Sequence, residues 1–213
     1  MNLPNKLTVG RLGLTVVFVA ALSMTFPGAK TLALVVFVIA AITDWLDGQI
    51  ARKHNLITDF GKLMDPLADK VLTAAAFIGL VGLHVIPAWT VILIIAREFM
   101  ITGLRLVAAA KNIVLPAEKL GKHKTTWQMV CIIFYLLMLS VFEFVRPHAA
   151  SSMAFVYDGT KIPKMDLSTP EYVFMSHSLA VYTGYVLLGI ATILTVWSGV
   201  SYLLKNRELF ADA

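Results

Sequence analysis

Four aspartates within one short stretch define the chemistry open to this chain. Asp44 and Asp47 stand three residues apart, and Asp65 and Asp69 stand four apart. On a helix, either spacing places its pair on one face. The turn between the two segments is short, about residues 53–60, so helices carrying the pairs would be antiparallel neighbours with acidic faces able to meet. Four carboxylates converging in a low dielectric repel one another and take up protons unless cations compensate. Their hard oxygen donors suit Mg²⁺ or Mn²⁺. Four of them can hold two divalent ions about 3.5–4 Å apart, the spacing that clamps both sides of an in-line phosphoryl displacement. Gly48 and Ala51 leave a bare patch beside the carboxylates where a flat ligand could approach the backbone, and Arg52 can meet a phosphate oxygen. Small residues also let membrane helices pack closely, so the patch has a structural reading as well.

The elements that must carry these residues are apolar. Of the 213 residues 58% are hydrophobic and only 15% charged, with a mean hydropathy of +0.78. Soluble domains carry about 45–50% apolar and about 25% charged residues. Too little polar surface remains to cover a water-soluble globule of this size, and the disordered and fibrous classes fail on charge and on Gly and Pro content. The expected fold is all-α: an integral membrane bundle of six transmembrane helices over residues 12–24, 31–50, 63–84, 88–110, 126–145 and 179–204. The first run is short and spans only if its helix begins before Arg11, with Lys6 and Arg11 reaching the interface. Pro66 falls in the first turns of the third segment, where its missing N–H costs least. A long polar loop is expected over 147–177, and the chain reads as a single membrane domain over 1–213. The lone Cys131 lies in an apolar run, so it reads as a packing residue and excludes an intrachain disulfide.

Lys and Arg set the orientation. With the amino terminus in the cytoplasm and six spans threaded, only Lys30, Arg146, Lys161 and Lys164 fall outside, and the other fourteen of the eighteen fall on or toward the cytoplasmic side. Both termini are therefore expected inside. The net charge of +5 needs no nucleic acid to explain it. Cytoplasmic loops, anionic lipid or a phosphate-bearing substrate account for it equally.

The run Asp44-x-x-Asp47-Gly48-x-x-Ala51-Arg52, eight residues, Gly61-x-x-x-Asp65-x-x-x-Asp69 matches the signature of the CDP-alcohol phosphotransferase family at every fixed position. The resemblance implies integral membrane enzymes, usually homodimers, that transfer a phosphatidyl or related group from a CDP-linked donor to an alcohol and release CMP. It implies that Asp44, Asp47, Asp65 and Asp69 bind the metals, two ions in number, and that Asp69 is also the general base. The opening Asn2–Leu12, the segment Ala96–Arg105 and the segment Lys119–Thr125 resemble bacterial members that join CDP-diacylglycerol to sn-glycerol 3-phosphate at the cytoplasmic face of the inner membrane. By this resemblance Asn5 and Thr8 join Asp44, Asp47, Gly48, Ala51 and Arg52 at CDP-diacylglycerol, while Arg97, Arg105 and Lys122 hold the acceptor phosphate.

The charges agree with such an acceptor. Glycerol 3-phosphate brings a dianion that four aspartates would repel, so a cationic pocket is required. Arg97 and Arg105 stand eight residues apart, about 12 Å along one helix face. Lys122 and Lys124 precede the fifth span. Arginine suits bidentate phosphate contacts and lysine supplies a compact charge. Snorkelling or a lipid headgroup is the alternative for each, most evenly balanced at Lys124. Glu98 either orients a basic neighbour or lies on the helix surface. Another acceptor, such as inositol phosphate, would use the same chemistry. A cation or proton transporter is the rival from a different class, since intramembrane aspartates also mark ion pathways. Against it, the acids gather at one membrane face, and Glu143 stands alone in the fifth span. The five histidines form no pair with metal-ligand spacing.

Overall fold

The computed structural model describes residues 3–54, 59–110, 119–145 and 171–206; within these, the side chains of 3–8, 44–54, 59–67, 69, 109–110, 119–122, 145 and 171–178 lie outside the description. Six helices and no strand occur among the described residues: α1 (Leu3–Ser23), α2 (Ala29–His54), α3 (Asp59–Gly82), α4 (Ala88–Ala110), α5 (Lys119–Val145) and α6 (Glu171–Lys205). Each expected segment coincides with one helix. α1 begins eight residues before Arg11, as a spanning first helix requires.

Two expectations need correction. α6 starts at Glu171, so 171–177, expected as loop, is helical. Tyr172, Val173, Phe174 and Met175 extend the apolar run, and Pro170 stands just ahead of it, a place that proline tolerates. The rest of that loop lies outside the described residues. Pro66 is the eighth residue of α3, beyond its first turn. There it withholds an N–H from the carbonyl of Lys62.

The helix ends are closed locally. Gly28, at φ 93°, turns the chain between α1 and α2, and its carbonyl accepts from Leu32 N–H at 2.8 Å. A side chain would be strained at that φ. α3 ends with His84 at φ 56°, and Val85 N–H donates to Leu80 O at 3.0 Å. That six-to-one bond around a left-handed residue is a Schellman closure.

The chain packs as two compact units. One holds α1, α2, α3 and the second part of α5; the other holds α4, the first part of α5 and α6. In the first, α1 packs on both α2 and α3. The Phe18 and Phe37 rings meet at 5.5 Å between centroids. Buried Ala21, Ala33, Ala40 and Ala76 let the backbones approach. Leu22 occupies the space over Gly79, where a Cβ would collide with its Cδ2. The late residues of α1 and α3 thus meet, so these two helices run the same way, and α2 returns antiparallel to them. Lys30 and Thr31 at the start of α2 meet Glu143 and Ser140 near the end of α5, so α2 and α5 are also antiparallel.

In the second unit Arg97 meets Ser198, and Arg105 meets Tyr202. Both numbers rise together, so α4 and α6 run in the same direction. Gln128 of α5 donates to Thr195 of α6 at 3.0 Å.

Among the described residues two helices, His123–Phe144 and Leu179–Lys205, are long and apolar enough to cross a membrane. Shorter apolar helices cover Val9–Ser23, Ala29–Thr43 and Lys70–Gly82. In α4 the apolar run is interrupted by Arg97, Glu98 and Arg105. Large apolar side chains such as Val16, Ile92, Phe144, Ile193 and Trp197 are exposed. Cys131 is fully buried, as expected of a packing residue.

Candidate active site

The acidic motif straddles the joint between α2 and α3. Four residues separate His54 from Asp59, so these helix ends lie within about 18 Å of each other at most. Asp47 stands seven residues before the end of α2, and Asp65 six after the start of α3. Asp44 and Asp69 each stand ten from the same ends. At 1.5 Å per residue the inner pair is about 9–10 Å from the joint and the outer pair about 15 Å. The four residues therefore lie at two matched depths at one end of the helix pair. Their side chains, and those of Gly48, Ala51 and Arg52, lie outside the described residues.

The described contacts extend this register to α1. Phe18 packs on Phe37 in the antiparallel pair, so seven residues back along α1 and seven onward along α2 Arg11 comes about level with Asp44. Leu22 packs on Gly79 in the parallel pair, so eleven residues back along each Arg11 comes about level with Ala68, next to Asp69. Arg11 is 2% exposed and Ala68 fully buried. Arg11 is therefore buried within the chain rather than extended outward along α1. It is enclosed at the depth of the outer aspartates, where a buried guanidinium needs counter-charge. Sequence reasoning missed this because an arginine two turns into an apolar helix has the same local pattern whether it snorkels or turns inward.

The basic residues are held in the second unit. Arg97 is 9% exposed and Lys124 5%. Arg97 Nη2 donates to Ser198 Oγ at 3.0 Å, and its Nη1 lies 3.4 Å from Glu98 Oε1. Lys124 Nζ donates to the same Glu98 oxygen. Glu98 thus orients two cations, and Lys124 is an interior ion-pair partner rather than a surface lysine. Charge-assisted bonds of this kind hold long side chains in place. Arg105 Nε donates to Tyr202 Oη at 3.3 Å, and its guanidinium carbon lies 5.3 Å from the Tyr202 ring centre. Asn5 and Thr8 lie on α1 and Lys122 on α5, and their side chains are outside the described residues.

Glu143 is the acid that a transporter reading would need at the other end of the bundle. Its carboxylate accepts the backbone N–H of Lys30 at 3.3 and 3.1 Å and lies 3.4 Å from that of Thr31. It caps a helix. Among the described residues no three His, Cys, Asp or Glu side chains gather as a metal site, and the aspartates fall outside that search.

Residues 1–197 match the CDP-alcohol phosphatidyltransferase family, and the chain belongs to it. A Bacillus subtilis relative, 46% identical over 68% of this chain and 81% of its own length, is named CDP-diacylglycerol–glycerol-3-phosphate 3-phosphatidyltransferase. A Rickettsia bellii protein of the same name is 34% identical over 98% of this chain and 97% of its own length. A Mycobacterium tuberculosis protein, 42% identical over 65% of this chain and 68% of its own, is named a probable phosphatidylglycerophosphate synthase.

Proposed function

We propose that this chain transfers the phosphatidyl group of CDP-diacylglycerol to sn-glycerol 3-phosphate, giving phosphatidylglycerophosphate and CMP. The observation that carries the choice is the end-to-end similarity to the Rickettsia bellii protein of that name. The buried basic cluster supports it, because a phosphorylated acceptor needs cations and serine does not.

The carboxylates of Asp44, Asp47, Asp65 and Asp69 form the hard donor set that would hold two divalent cations, Mg²⁺ or Mn²⁺, whose charge offsets that of the pyrophosphate and of departing CMP. Their placement at two matched depths fits that role. Asp69 accepts the proton of the glycerol 1-hydroxyl. The freed oxygen attacks the β-phosphorus of the donor in line, and the bond from that phosphorus to the oxygen bridging to CMP breaks. Gly48 and Ala51 admit the nucleotide against the α2 backbone, Arg52 meets a donor phosphate oxygen, and Asn5 and Thr8 border the donor from α1. Arg97, Arg105 and Lys122 hold the acceptor phosphate. Rate enhancement then comes from positioning and from charge stabilisation in a water-poor site.

The chain is one membrane domain, α5 being common to both units, with six spans, both termini in the cytoplasm and the site at the cytoplasmic face of the bacterial inner membrane. The alternating helix directions within each unit support this threading, as does the distribution of Lys and Arg. A homodimer in contact with membrane lipid is the assembly that we expect.

The deciding experiment supplies the purified chain in detergent with CDP-diacylglycerol and, separately, glycerol 3-phosphate, inositol phosphate or serine, and follows CMP release. Release dependent on glycerol 3-phosphate is the expected result. Release only with inositol phosphate would reassign the acceptor, and none with any alcohol would remove the enzyme.

A further inference from the structure

The sequence assigns no chemistry to α6, yet α6 supplies the partners of both acceptor-site arginines. Ser198 bonds Arg97 and Tyr202 bonds Arg105. The two partners are four residues apart, about 6 Å along α6, whereas the arginines are eight apart, about 12 Å along α4. With α4 and α6 parallel, two side chains that leave α4 two turns apart take partners whose residues are one turn apart on α6. We infer that Ser198 and Tyr202 are positioning residues that gather the two guanidiniums onto one phosphate group of the acceptor. The inference rests on assigning Arg97 and Arg105 to the acceptor phosphate.

The local chemistry fits a positioning role. Tyr202 is 2% exposed, so its ring is a fixed platform, while Arg105 is exposed. The phenol oxygen takes Nε, and the ring lies beneath the guanidinium. Both contacts fix the plane of the group and leave its two terminal nitrogens to form the fork that matches phosphate. Ser198 is equally buried, and its hydroxyl donates to Thr195 O at 3.0 Å, which aims the oxygen lone pairs at Arg97. Gly199 makes the approach possible. A Cβ there would stand 2.7 Å from Arg97 Cγ and 3.4 Å from Nε. Thr195, one turn back, is fixed by Gln128 of α5. The stretch from Thr195 to Tyr202 thus presents one polar edge to α4 within an otherwise apolar helix.

The test is steady-state kinetics on the full chain in detergent, with each substrate varied separately, for Tyr202→Phe, Ser198→Ala and Arg105→Ala. Tyr202→Phe keeps the ring and removes only the oxygen, so folding is retained. It should raise the KM for glycerol 3-phosphate about two- to tenfold, the range for one net hydrogen bond, with the KM for CDP-diacylglycerol unchanged. Ser198→Ala should act in the same direction. Tyr202→Phe added to Arg105→Ala should change nothing further, because the oxygen acts only through the guanidinium. If Arg105→Ala raises the acceptor KM and both α6 variants leave it unchanged, the positioning role is overturned and the acceptor site stands. If Arg105→Ala itself leaves the acceptor KM unchanged, the acceptor assignment fails first. A fall in kcat with both KM values constant in the α6 variants would also overturn the inference.

Discussion

Glu143 and Lys30, 113 residues apart in sequence, close the end of the first unit: both carboxylate oxygens of Glu143 receive the backbone N–H of Lys30. The α2 terminus has free N–H groups and a positive dipole end, and a carboxylate satisfies both. Lys30 acts a second time through Nζ, which donates to the carbonyls of Leu22 and Met24 at the end of α1. One residue thus ties α1, α2 and α5, and Thr31 adds a hydroxyl contact of 2.6 Å to Ser140.

Removing this cap should destabilise the chain without touching its chemistry. Glu143 is buried, and hydrogen bonds to a charged group contribute about 1.5–3 kcal/mol. For Glu143→Ala we expect a fall in Tm of several degrees in detergent, and a smaller fall for Glu143→Gln, which keeps one acceptor. The KM for either substrate should be unchanged at temperatures where the variant is folded. A proton-relay role would instead abolish activity in Glu143→Gln at full stability.

The contrast between Glu143 and the aspartates indicates what a sequence carries. Eight fixed positions over α2 and α3 identified the family, because their spacing is a local property that helix geometry preserves. The six apolar segments were legible for the same reason. The choice of partners was not. Glu143 with Lys30, Lys124 with Glu98, and Tyr202 with Arg105 each join residues 26 to 113 apart, and nothing in periodicity says which helices touch. Arg11 was read as a side chain reaching outward, whereas it is buried, for that reason. α6 was read as a plain span because Ser198 and Tyr202 are ordinary polar residues until their partners are known.

A side chain at Gly79 should force Leu22 to shift. A methyl group there would collide with Leu22, which is itself buried, and overpacking a filled core costs about 1–3 kcal/mol. Gly79→Ala should lower Tm, and combined with Leu22→Ala it should cost less than the two single effects added together. If the double variant is less stable than the two single effects combined, the contact is not the cause.

The four carboxylates should behave as a metal-dependent set. Exhaustive chelation should abolish CMP release, and Mg²⁺ or Mn²⁺ should restore it. Asp44→Asn, Asp47→Asn and Asp65→Asn should each abolish turnover by weakening cation binding. Asp69→Asn should abolish it with CDP-diacylglycerol binding less affected, because the further role proposed for it is to accept the hydroxyl proton. Near-normal turnover of Asp69→Asn would remove the general base, and full activity after chelation would remove the metals.

Loss of Arg105 should be felt through the acceptor. In the proposed arrangement the donor pyrophosphate would have the divalent cations held by the carboxylates and Arg52 to answer its charge, whereas the glycerol 3-phosphate dianion would depend on the basic residues. Among those with described side chains, Arg105 is exposed, with its ring partner behind it, while Arg97 and Lys124 are buried beside Glu98. Removing a hydrogen bond to a charged group costs about 1.5–3 kcal/mol, or roughly ten- to a hundredfold. Arg105→Ala should therefore lower kcat/KM for glycerol 3-phosphate by that factor, with the KM for CDP-diacylglycerol little changed. Arg105→Lys should recover only part of the loss, since an ammonium supplies charge without the fork. Kinetics with each substrate varied in turn separate the outcomes. An effect confined to the donor would move Arg105 to the nucleotide, and unchanged kinetics would leave it as a charge facing lipid headgroups.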